Sequence, residues 1–145
     1  MGNERVSIGD RTSTAAIETI DLLAMIEHLG DRLAGVSPRV GRLLADEHAL
    51  QLLNLRRAER AVAGGEPGPE GNVTKLLRAE ILQHRTALAA AIAGQDAAFL
   101  DGPGGLAARQ LLGSRRLSIA GGTSEITRNQ IGERILGLPR DPLMR

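Results

Sequence analysis

The chain has 145 residues, 18 Lys plus Arg against 17 Asp plus Glu, and a formal net charge of +1. That near-balance gives no electrostatic case for nucleic acid or an acidic membrane surface. It has no cysteine and one aromatic residue, Phe99, which excludes a disulfide scaffold, thiolate catalysis and Cys-ligated metal and requires an aliphatic core.

One domain is the expectation for this length, with residues 1–12 leading into a bundle over 13–145. No apolar run approaches the roughly 20 residues of a membrane span, and the N-terminus lacks a basic-then-apolar leader, so a cytoplasmic location is expected. Five helical segments separate at glycine and proline. The first covers about Ser13 to Leu33, with Ile17, Ile20, Leu23 and Leu29 as its apolar set. Gly35 and Ser37-Pro38 end it, and Pro38 suits the first turn of a second helix reaching Ala63.

On that second helix Val40, Leu43, Leu44, Leu50, Leu55, Ala58 and Val62 share a side, together with Glu47, Gln51 and Asn54. Buried polar groups need partners, so the polar stripe reads as a strut or interface, or as the border of a ligand cavity. Arg56, Arg57 and Arg60 read as a solvated or intersubunit face. The loop Gly64 to Gly71 follows, as its glycine and proline density requires.

A third helix spans about Asn72 to Ala93 with Val73, Leu76, Leu77, Ile81 and Leu88 as its apolar face. Glu80 and His84 lie on that face, but bundle-core metal sites need such pairs repeated on two helices, so no metal is expected. His28 and His48 read as surface or edge residues. Asp101 to Gly105 is a turn. Shorter helices are expected over Leu106–Ser118 and Ser124–Leu136, the last ending at Gly137 and Pro139. With no sustained strand alternation, the fold class is all-α: an up-down four-helix bundle with an additional short C-terminal helix.

The most specific stretch is Gly121-Gly-Thr-Ser-Glu-Ile126. A double glycine followed by Thr123 or Ser124 as N-cap opens a helix whose free N–H groups and partial positive charge suit a phosphate. Ile126, Ile131 and Ile135 are expected near one face of that helix, and Arg115-Arg116 lies close enough in sequence to screen an anion. No Walker-type loop, Ser/His/Asp order or dinucleotide fingerprint is present.

These residues, with Arg128, Ile131 and Glu133-Arg134, resemble the C-terminal signature of the acyl-CoA dehydrogenase family of flavoproteins. Asn3 to Gly9, Leu52 to Arg56, Gly64 to Gly68 and Val73 to Leu77 resemble its other C-terminal segments in order and spacing. The resemblance covers nearly the whole chain and about the last third of a typical family member. It implies FAD as cofactor, contacted by Gly122, Thr123, Ser124 and Glu125. It implies α,β-dehydrogenation of acyl-CoA thioesters within a larger homo- or hetero-oligomeric assembly, the chain not being active alone. Gly121 occupies the position where many members carry the catalytic glutamate, so no catalytic residue is assigned. Glu133 stands where many members place an arginine that meets CoA. The alternative is a non-catalytic helical assembly module that has lost the redox site.

Overall fold

A computed structural model of the chain describes residues 35–66 and 68–140, and Glu27. The predicted helix over Ser13–Leu33 and His28 lie outside these residues, Glu27 apart. Among the described residues there are four α-helices and no strand: α1 (Ser37–Val62), α2 (Glu70–Ala93), α3 (Gly105–Ser114) and α4 (Ser124–Arg134). The fold is all-α, as expected.

Local chemistry explains the boundaries. Pro38 sits in the first turn of α1, where its missing N–H costs nothing. Short 3-10 turns follow α2 at Gly94–Ala98 and α3 at Arg115–Ser118. The expected single helix over Leu106–Ser118 is therefore shorter than its pattern suggested. The Ser114 hydroxyl donates to the Leu111 carbonyl and the Ser118 hydroxyl to that of Arg115, both at 2.7 Å. Such returns to carbonyls three residues back compete with α-helical bonding and favour the tighter turn. The last helix stops at Arg134 rather than Leu136. Gly137 has φ +68° and turns the chain, so that the Leu138 N–H meets the Gly132 carbonyl at 3.0 Å.

α1 and α2 run antiparallel. Arg60 pairs with Glu70 and Arg57 donates to Thr74 beside the connecting loop, while Glu47 meets Arg85 farther along. Arg57 and Arg60 thus tie the two helices together instead of forming a free basic face, whereas Arg56 is exposed. Val40, Leu43, Ile81, Leu88, Ala89 and Ala107 form the buried core, with Leu50, Leu77, Ile92 and Leu106 packed against it. It contains no aromatic ring, and Phe99 is exposed. α2 is the central element: only His84 and Ala91 along it are exposed.

The apolar side assigned to α1 is only partly used. Val40 and Leu43 are buried, but Leu44, Leu55 and Val62 are exposed, and from Gln51 to Val62 only Leu53 escapes full exposure. Similarly, Ile126 and Ile135 are exposed, and the side of α4 that turns inward is marked by Thr127 instead.

Candidate functional site

The connection between the Arg115–Ser118 turn and α4 is built from main-chain geometry. The Ala120 N–H bonds the Arg116 carbonyl at 2.8 Å and the Gly122 N–H bonds the Ile119 carbonyl at 3.2 Å. Gly121 and Gly122 then take φ of +71° and +110°, conformations that side-chain-bearing residues rarely adopt. Thr123 returns to extended backbone and is the N-cap of α4, its hydroxyl accepting the Ile126 N–H at 3.3 Å.

The hinge leaves donors open. The N–H groups of Gly121, Thr123 and Ser124 have no protein partner among the described residues. The Gly122 amide is engaged by Ile119, and its carbonyl accepts from Lys75. Glu125 is exposed, and its carboxyl is held below the ordinary carboxylate range by its own backbone N–H and then by the Thr123 hydroxyl. Arg128 and Lys75 act in the same direction, and partial desolvation opposes them. An ionised carboxylate on the first turn also suits the positive end of the helix.

Three contacts anchor this turn to α2. The Lys75 ammonium donates to the Gly122 carbonyl and reaches the Thr127 hydroxyl at 3.4 Å. Arg128 pairs with Glu80 at 2.6 Å. Thr127 is buried, and its hydroxyl donates to the Thr123 carbonyl at 2.9 Å. Sequence reasoning missed Lys75. The available signal was a lysine within the apolar run Val73 to Leu77, on a helix half-buried almost all round.

The other candidate residues fall elsewhere. Arg115 donates to the Gln83 side chain at 3.1 Å. Arg116 lines a cleft of about 370 Å³ with Glu47, Gln51, Ile81 and Arg85. Glu47 Oε1 lies 3.0 Å from Arg85 Nε without hydrogen-bond alignment, so this is an ionic strut between α1 and α2. Asn54 is exposed and takes no part in it. Glu80 is committed to Arg128, while His84 faces solvent and lines a separate cleft with Arg42, Leu43 and Asp46. His48 is exposed. No helix among the described residues is long and apolar enough to cross a membrane.

Residues 3–136 match the family model for the acyl-CoA dehydrogenase C-terminal domain, and the chain belongs to that family. It is similar to acyl-CoA dehydrogenase FadE34 of Mycobacterium tuberculosis (strain ATCC 25618 / H37Rv), with 38% identity over 146 residues. That similarity takes in 97% of this chain and 19% of the relative, so the chain spans about a fifth of that protein's length. No solved structure matches the chain.

Proposed function

We propose that the chain serves as the C-terminal domain of an acyl-CoA dehydrogenase-type flavoprotein and supplies part of the FAD site at Gly121–Glu125. The observation that carries this reading is the pair of adjacent, unpartnered N–H groups on Thr123 and Ser124 at the start of α4. Two main-chain donors beside glycines that let a ligand approach closely suit a flavin nucleotide's diphosphate. Glu125, ionised and exposed, offers acceptors for a hydroxyl of the same nucleotide. Bound FAD would supply the hydride acceptor for α,β-dehydrogenation of an acyl-CoA thioester.

The chain's own part in that chemistry is to bind and orient. Gly121 carries no group able to take a proton, so the hinge does not supply the base. The hinge is open to solvent, and further domains or subunits are needed to exclude water from the flavin. The exposed Leu52, Leu55, Val62 and Leu112 suit a place within such a cytoplasmic oligomer in fatty acid metabolism. They suit a non-catalytic assembly module equally well, and Gly121 favours that second reading.

Ser124→Pro separates the two readings. Ser124 is the first helical residue of α4 and follows extended Thr123, a position proline accepts, while its unpartnered N–H is lost. The chain, purified with the domains its neighbouring coding sequence specifies, is expected to hold FAD that acyl-CoA reduces. The proline variant should assemble normally but bind FAD about tenfold more weakly, the worth of one hydrogen bond to a charged group. A normal assembly that never carries flavin would overturn the cofactor role and leave the assembly module.

A further inference from the structure

The Lys75 side chain, on α2, donates a hydrogen bond to the backbone of the glycine hinge at the Gly122 carbonyl. A trans peptide is planar, so its C=O and N–H point in opposite directions. No cis peptide occurs among the described residues. The carbonyl of Gly122 and the N–H of Thr123 belong to one such peptide. We propose that Lys75 is a positioning residue: by drawing the Gly122 carbonyl toward α2, its ammonium turns the Thr123 N–H outward, to where an anion can take it.

The neighbouring peptide is fixed in the same sense. Lys75 also reaches the Thr127 hydroxyl, which donates to the carbonyl of Thr123 at 2.9 Å. The Thr123 carbonyl also accepts the Thr127 N–H at 2.9 Å, so the helix shares in holding it, and the N–H groups opposite the two carbonyls, on Thr123 and Ser124, are both without a partner among the described residues. Such an anchor is needed here because glycine peptides reorient easily. Gly121 has open space where a Cβ would lie, and at Gly122 a Cβ would meet only Ile126 Cγ2, at 3.8 Å. Partial burial lowers the Lys75 pKa and Glu125 opposes that effect. An ammonium with reduced access to water gains more from the carbonyl than an exposed one does.

The orientation stands on the geometry alone; that its purpose is to meet a diphosphate rests on the flavin reading. The test uses the isotope-labelled full chain in solution, with inorganic pyrophosphate as probe. Lys75→Met should shift the Gly122 carbonyl and Thr123 amide resonances while leaving those of buried Thr86 and Leu88 in place. It should weaken pyrophosphate binding about tenfold. Lys75→Met combined with Glu125→Gln restores the hinge's net charge and should stay about tenfold weak, because orientation rather than charge has been lost. If Lys75→Met does not fold, Lys75→Arg keeps the charge, relocates the donors and should move the same two resonances. Unmoved hinge resonances, or full recovery of affinity in the charge-restored variant, would overturn the proposal. Pyrophosphate leaving residues 121–124 of the wild-type chain unshifted would instead overturn the anion seat, with the resonance shifts in Lys75→Met still reporting on orientation.

Discussion

Of the chain's three glycine pairs, Gly104-Gly105 before α3 and Gly121-Gly122 before α4 use glycine for opposite reasons. Gly104 and Gly105 are buried. A Cβ on Gly104 would lie 2.3 Å from the carbonyl carbon of Asp96, and one on Gly105 would lie 2.3 Å from the carbonyl oxygen of Leu100. Gly104 itself has φ −91°, which any residue adopts. Glycine is there because another stretch of backbone fills the space. At Gly121 the space is empty and φ is +71°, so glycine is there for its conformation. The first turn is sealed against other backbone, with Arg109 donating to the Leu100 carbonyl, whereas the second is exposed at Gly121 with nothing packed beside it.

The largest expected effect tests the sealed turn. Gly104→Ala forces a methyl into the backbone of the Gly94–Ala98 turn, and no flexible side chain can yield there. Overpacking of this kind should cost about 3 kcal/mol and lower the thermal midpoint by roughly 10 °C in a melt followed by circular dichroism. A loss as small as a surface substitution's would show that the two turns do not differ in packing.

Gly121→Ala should cost less, about 1–2 kcal/mol, because only the left-handed conformation resists it. Gly121→Asn should recover part of that loss, since asparagine tolerates positive φ. In the sealed turn the larger asparagine should be worse than alanine. If asparagine fails to rescue position 121, conformation is not what glycine supplies there. Urea midpoints of the four variants would rank them.

The sequence revealed the existence of both turns but not this difference. Glycine density marks a break in the chain and is silent on whether open space or another backbone lies beside it. Helix boundaries were legible where punctuation is chemical: Pro38 at the start of α1, and Thr123 capping α4. They were less legible where serine hydroxyls at Ser114 and Ser118 drew the end of α3 into a tighter turn. Periodicity identified the apolar residues of α1 and α4, but it carries no information on what covers them. Leu55, Val62, Ile126 and Ile135 accordingly stand exposed. Gly122, Thr123, Ser124 and Glu125 could be singled out because a cap and a double glycine are local features. Lys75 stands out in the sequence only as a lysine within an apolar run, and its partner is not legible there because it meets Gly122 only once α2 and α4 have packed together.

The smallest effect concerns pH and belongs to the open turn alone. Glu125 is fully exposed, and its carboxyl is lowered first by its own N–H and next by the Thr123 hydroxyl. A carboxyl whose folded-state pKa is depressed stabilises the fold above its unfolded-state value, and that contribution is lost as pH falls through the folded-state value. Glu125→Gln should therefore slightly lower the urea midpoint at neutral pH and make its decline below the ordinary carboxylate range shallower. Glu70, lowered by its own N–H and by Arg60 despite opposing desolvation, remains in the variant, so the slope should diminish rather than vanish. Raising the salt concentration should leave most of the difference in place, because its two leading causes are hydrogen bonds, which salt screens little; only the share from Arg128 and Lys75 should fade. If salt abolished the difference altogether, Glu125 would be acting through those distant charges, and the open turn would owe its cap to Thr123 alone.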